Sequence, residues 1–255
     1  MKTKCFVYLS LLIGWISLIS CTLSPWHRDQ ADAYMKKGRA LLEAGQYLGA
    51  LTELLEADKY APNDPEINYY LGLAYSGRGL TKPAMERMQK AVDLKKDYSE
   101  AHNHLGVLYM DMGQWEKAIA CFDRALDNYL YSTPALALYN SGWAYYNLKN
   151  YDTALSRYHQ ALRQDRMRVL QPQIEKNIAL VYIKRNDLVS AVDYLKRAVA
   201  QNANLLDAHF FLAECYYQLH DFQNAKKSFQ QVVKLAPQSP FAQKAQEYLR
   251  MIESR

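Results

Sequence analysis

The chain has 255 residues, 50% of them hydrophobic and 22% charged, which excludes an intrinsically disordered polypeptide. Its formal charge of +5 includes Lys2 and Lys4 at the extreme N-terminus. The remainder is too weak for a nucleic-acid reader, which needs a continuous basic stripe. Ten glycines and eight prolines against 21 tyrosines predict long helices and little loop.

In chain order, Lys2 and Lys4 precede an apolar run from Phe6 to Ile19, broken only by Ser10, Gly14 and Ser17. The run is shorter than the roughly 20 residues a helix needs to span a bilayer. It matches the apolar segment of a secretory signal behind a positive end. It ends Leu18-Ile19-Ser20-Cys21, which resembles the lipobox of bacterial lipoproteins. That resemblance implies that residues 1–20 are a signal peptide and that the Cys21 thiol is lipidated and becomes the first residue. Stable anchoring needs more than one acyl chain, and the lipidated cysteine of this class carries two or three. Residues 21–30 are then a short tether, in which Thr22 to Gln30 reach at most ~30 Å. Cys5 leaves with the signal, and Cys121 and Cys215 read as small buried hydrophobes. With no CxxC pair, a redox or zinc role has little support.

From Ala31 onward one unit repeats. Gly38, Gly72, Gly106 and Gly142 recur at intervals of 34, 34 and 36, and Ala179 and Ala213 continue the series. Twelve residues after each stands an alanine: Ala50, Ala84, Ala118, Ala154, Ala191 and Ala225. Tyr75, Tyr109, Tyr145, Tyr182 and Tyr216 sit three after their Gly or Ala. Gly costs about 1 kcal/mol against Ala inside a helix, so its recurrence points to close helix–helix contact. The stretches "EAGQY", "DMGQW", "LKNYD" and "RNDL" read as short turns of αα-hairpins.

"SEAHNHLGVLYMDMGQWEKAIACFDRAL" resembles the tetratricopeptide repeat, with Leu105, Gly106, Tyr109, Ala118, Phe122 and Ala125 in the family's slots. The resemblance implies an all-α fold, a right-handed α-solenoid of six tetratricopeptide repeats over 31–64, 65–98, 99–134, 135–171, 172–205 and 206–239. Residues 240–255 place Phe241, Ala245, Leu249 and Ile252 on one face and read as a capping helix.

No catalytic residue, metal ligand set or cofactor site is predicted. His102 and His104 are two apart and point to different faces of a helix. "RQDRMR", Arg163 to Arg168, reads as a solvated cluster at a helix C-terminus. In tetratricopeptide proteins the ligand-facing positions lie on the first helix of each repeat, around the Gly slot. The resemblance carries that role to Tyr69 and Leu73 in repeat two and to Asn103, Val107 and Met110 in repeat three. In repeat four it falls on Tyr139, Asn140, Trp143, Tyr146 and Asn147, and in repeat five on Lys176, Asn177, Leu180 and Ile183. Repeat six supplies Phe210 and Tyr217. The surface is aromatic and apolar, with Asn140 and Asn177 able to hold a peptide backbone and Trp143 and Tyr146 as anchors. It suits a hydrophobic or amphipathic protein segment. With Lys176 as its one clear cation, it does not resemble the family's carboxylate clamp.

The lipobox, the six repeats and "YSTPALALYNSGWAYY", whose junction carries the extra residues Thr133 and Pro134, together resemble the type IV pilus pilotin lipoproteins. The resemblance implies a non-enzymatic assembly chaperone on the periplasmic side of the bacterial outer membrane, with a secretin subunit of the pilus machine as partner. Thr22, in place of the Asp that favours inner-membrane retention, fits outer-membrane delivery. The alternative is a scaffold for another envelope complex.

Overall fold

The computed structural model describes residues 25–254; the expected signal peptide, Cys21 and the first part of the expected tether lie outside the described residues. Among the described residues the chain is all α-helical, and it divides into two compact units that meet in sequence at Lys96 and Asp97. The first unit holds α1 (Pro25–Glu43), α2 (Tyr47–Tyr60), α3 (Pro65–Gly77) and α4 (Thr81–Leu94). The second holds α5 (Ser99–Asp111), α6 (Trp115–Leu126), α7 (Pro134–Asn147), α8 (Tyr151–Gln164) and α9 (Gln171–Lys184). It continues through α10 (Leu188–Gln201), α11 (Leu206–Gln218), α12 (Phe222–Leu235) and α13 (Pro240–Glu253). Short turns make each odd helix from α1 to α11 the antiparallel partner of the next.

The first helix starts earlier than the sequence reading places it. Pro25–Gln30, expected in the tether, is the first part of α1. Proline at a first helical position is pre-organised for that backbone, and the Trp26 ring meets the Tyr60 ring of α2 edge-on at 5.6 Å. A helix rises about 1.5 Å per residue, so this stretch spans less than half the distance allotted to it as extended chain.

The glycine ladder has a steric cause. A Cβ on Gly38 would stand 2.6 Å from Leu54, on Gly72 2.9 Å from Met88, and on Gly106 and Gly142 2.6 Å from the rings of Phe122 and Tyr158. Each glycine is thus the seat for one large side chain of the partner helix, sixteen residues on. In the last two pairs Ala179 and Ala213 take the seat position, with Leu195 and Phe229 on the partner helix, all fully buried. Leu54, Phe122, Tyr158, Leu195 and Phe229 each belong to a buried apolar cluster, and Met88 is fully buried.

The turns inside the pairs share one geometry. The backbone N–H of Gln46 donates to the Leu41 carbonyl, Leu80 to Tyr75, Gln114 to Tyr109, Asn150 to Tyr145, Asp187 to Tyr182 and Asp221 to Tyr216, at 2.8–2.9 Å. This six-to-one bond requires a left-handed residue just before its donor. Gly45, Gly79 and Gly113 supply it at φ of 70–72°, and Lys149, Asn186 and His220 supply it at 59–61°. Where the glycine is missing, the next residue caps the following helix: Asn150, Asp187 and Asp221 accept from the backbone N–H of Thr153, Ser190 and Asn224.

At the C-terminal end α13 packs on α12 and touches α11. Tyr248 stacks on Phe229 with centroids 4.8 Å apart, and Phe241 lies 5.1 Å from Phe210.

Candidate functional site

In the first unit α3 carries Tyr69 and Leu73, both half-buried, with Tyr69 packed on Tyr70 at 5.3 Å. In the second unit α5, α7 and α9 lie side by side, α7 touching both neighbours. Because the three share one register about the seat positions Gly106, Gly142 and Ala179, the residues one and four further on fall in rows. Those rows are Val107, Trp143 and Leu180, then Met110, Tyr146 and Ile183, all half-buried. The Trp143 and Tyr146 rings stack with centroids 5.1 Å apart and planes 12° from parallel. Tyr151 of α8 supports Tyr146 at 5.8 Å, and Tyr139 lies against the buried Tyr158 at 6.1 Å. Burial pushes the Tyr158 hydroxyl far above the usual tyrosine range.

The structure removes several other residues from the surface that the sequence assigned to them. Asn103, Asn140 and Asn177 are buried at 2%, 8% and 3% exposure. The Asn140 Nδ2 donates to Asn103 Oδ1 at 3.3 Å, so these two amides join α5 to α7 rather than face a peptide backbone. Asn147 Nδ2 donates to the Trp143 carbonyl at 2.8 Å and is committed to its own helix. Lys176 Nζ pairs with Asp207 Oδ2 of α11 at 2.8 Å, so its charge is already matched.

Phe210 is buried beneath α13, between Phe229 and Phe241. Tyr217 meets Tyr248 of the same helix at 5.0 Å. Beside them, the Tyr248 hydroxyl donates to Glu214 Oε1 at 3.3 Å, and burial pushes that carboxyl above the usual glutamate range. The final helix therefore covers the first-helix positions of the sixth pair. The sequence reading did not name Tyr248, although at seven after Phe241 and three after Ala245 it shares their face of α13.

The remaining candidate chemistry is structural. Cys121 is half-buried and Cys215 buried, and burial pushes their thiols up to about 11 and about 12. Both are protonated and inert near neutral pH. His102 is buried, and burial pushes His104 below the usual histidine range. Among the described residues no three His, Cys, Asp or Glu side chains converge as metal ligands, and no helix is long and apolar enough to cross a membrane.

Comparison with known proteins agrees with the seat-and-turn repeat. Family models described as Tetratricopeptide repeat match residues 97–167, 139–205 and 182–247, and one described as TPR repeat matches residues 38–79. Together they span more than half of the chain. The chain is a tetratricopeptide-repeat protein.

Among curated tetratricopeptide relatives, the type IV pilus assembly protein PilF of Pseudomonas aeruginosa is 25% identical over 175 residues, 69% of this chain and 68% of PilF. DnaJ homolog subfamily C member 3 of Gallus gallus is 24% identical over 220 residues, and the chain spans only 43% of its length. The solved structure of P. aeruginosa PilF superposes with a TM-score of 0.75 at 20% identity, covering 87% of this chain and 99% of that one. PilW, described as a widely conserved type IV pilus biogenesis factor, gives 0.76 at 20% identity, covering 84% and 97%. At these identities the two structures establish the shared fold.

Proposed function

We propose that this chain is a non-catalytic assembly factor of the type IV pilus, held at the outer membrane by lipidated Cys21. In this reading the first-helix face of α5, α7 and α9 binds an apolar or amphipathic segment of a secretin subunit. The observation that carries it is the pair of apolar rows centred on the Trp143–Tyr146 stack. Large aromatic side chains held rigid at a partly open surface are the usual anchors of protein interfaces. Val107, Met110, Leu180 and Ile183 extend those rows on either side with no charged residue among them. Tyr69 and Leu73 offer a separate apolar patch on the first unit. The likeness to PilF and PilW, whose names refer to pilus assembly and biogenesis, supports the biological setting, and the lipobox-like Leu18-Ile19-Ser20-Cys21 supports the compartment.

Two substitutions test the parts separately. Cys21→Ser leaves the repeats folded and releases the protein from membranes; continued fractionation with membranes contradicts lipid anchoring. Trp143→Ala weakens capture of the secretin from detergent-solubilised membranes by roughly ten-fold or more while helicity stays at the wild-type level. If helicity falls and capture survives, Trp143 is a packing residue and the face is not the site.

A further inference from the structure

Two features of the second unit lie outside the first-helix face: the extra residues at Thr133 and Pro134 and the arginine cluster from Arg163 to Arg168. The fold brings them together. Connections between helix pairs elsewhere span 61–64, 95–98 and 202–205, and the one leading into α13 spans 236–239. The α6–α7 and α8–α9 connections are longer, at 127–133 and 165–170. Both longer loops line one cleft of about 640 Å³, within the size range of ligand pockets.

The loops hold apolar side chains out in water. Tyr129 and Leu130 are 102% and 90% exposed, and Met167 and Val169 are 85% and 68% exposed. Such a cluster is uncommon on a surface with no partner. Tyr131, Ala135, Leu136 and Leu170 form its more buried floor.

The display is pre-organised by hydrogen bonds. Asn128 Oδ1 accepts from the Leu130 N–H at 2.9 Å, and its Nδ2 donates to the Asp97 carbonyl at 3.3 Å. The two Asp165 oxygens accept from the N–H groups of Val169 and Leu170 at 3.1 and 2.8 Å. Asp165 thereby serves the loop backbone. Arg163, Arg166 and Arg168 are exposed, and none of them is a partner in the ion pairs found among the described residues. Arg166 lines the cleft beside the engaged Asp165, Arg163 and Arg168 adjoin lining residues in sequence, and the three arginines outnumber that one carboxylate.

We propose that this cleft is a second protein-docking site that takes an acidic peptide segment with an apolar anchor residue. The anchor enters between Tyr129 and Met167, and flanking carboxylates meet Arg163, Arg166 and Arg168, whose guanidinium groups match carboxylate geometry. A cleft of this volume has room for an inserted side chain, which a flat lipid surface does not supply.

The full chain in mild detergent, titrated into fluorescein-labelled Asp-Glu-Phe-Leu-Asp-Glu, tests this by fluorescence anisotropy. Binding is saturable, and Met167→Asp and Arg166→Glu each weaken it by about ten-fold or more. The charge-reversed Lys-Lys-Phe-Leu-Lys-Lys does not bind, and Trp143→Ala leaves the affinity unchanged. Met167 and Arg166 are exposed, so both variants keep the wild-type melting curve, and a folded variant with wild-type affinity overturns the proposal. So does the absence of saturable binding, equal binding of the reversed peptide, or loss of binding on Trp143→Ala. Phosphatidylethanolamine–phosphatidylglycerol vesicles provide a further arm. Vesicle binding that depends on Met167 and Arg166, without peptide binding, overturns it in favour of a membrane contact.

Discussion

At the residue scale, two ladders of positions make opposite demands on the side chain. At the seat positions the partner helix leaves no room: a Cβ on Gly106 would overlap the Phe122 ring at 2.6 Å. Gly106→Ala gains about 1 kcal/mol of helix propensity but overpacks the pair at a cost of about 1–3 kcal/mol. The expected result is a lower thermal midpoint, partly restored when Phe122→Leu is added. In the turn ladder nothing lies near Gly113, and the constraint is the backbone angle alone. Lys149 and His220 hold that left-handed angle with a Cβ, at a cost of roughly 1–2 kcal/mol in principle. Lys149→Gly and His220→Gly should each stabilise by about 0.5–1 kcal/mol once glycine's entropy is counted. Asn186→Gly should change little, since asparagine tolerates this region. A fall in the urea midpoint of Lys149→Gly would contradict the reading of the turn.

At the element scale, the last pairs rely on capping side chains that titrate. Hydrogen bonds from Ser190 hold Asp187 below the usual aspartate range, and those from Asn224 do the same for Asp221. An acid whose pKa is lower when folded stabilises fully above its unfolded value and loses that contribution as pH falls through the folded one. Stability of α10 and α12 should therefore decline below about pH 4. Asparagine caps as well as aspartate but does not titrate. Asp187→Asn with Asp221→Asn should keep the neutral-pH melting temperature and flatten the acid limb; an unchanged acid limb would remove these caps as its cause. The last helix has a different role, covering Phe210, Phe229 and Tyr217. A chain ending at Ala236 uncovers them, at about 1.5–3 kcal/mol per large apolar side chain. Hydrogen exchange should accelerate first in α11 and α12, and uniform exchange along the second unit would contradict a local covering role.

At the scale of the whole molecule, the pattern visible in the sequence was the one that packing inside each helix pair imposes. Seat glycines and alanines, buried partner alanines and turn residues recur because each pair solves the same close-contact problem. Apolar contacts between consecutive pairs keep the same period, as Ile67 and Leu71, Ile174 and Ile178, and Ala208 and Leu212 show, but the polar partners along the first helices differ from pair to pair, which is why that surface was read only in part. Asn103 and Asn140 look like ligand-facing amides until the structure brings them within hydrogen-bonding distance. Lys176 looks like a free cation until Asp207 is placed beside it, and Phe210 looks like an anchor until α13 lies over it. Trp143 and Tyr146 stay half-buried, stacked on each other with Tyr151 of α8 beside Tyr146. The exposed tips at Leu130 and Met167 were illegible for the converse reason: hydrophobicity alone does not tell an outward side chain from a core one.

The central claim joins the Trp143–Tyr146 face to secretin assembly, and the amount of secretin multimer in cells reads it most directly. Cells carrying Trp143→Ala with Tyr146→Ala should hold far less multimer than wild type, at equal protein level and equal membrane retention. Wild-type amounts of multimer under those conditions would contradict the account.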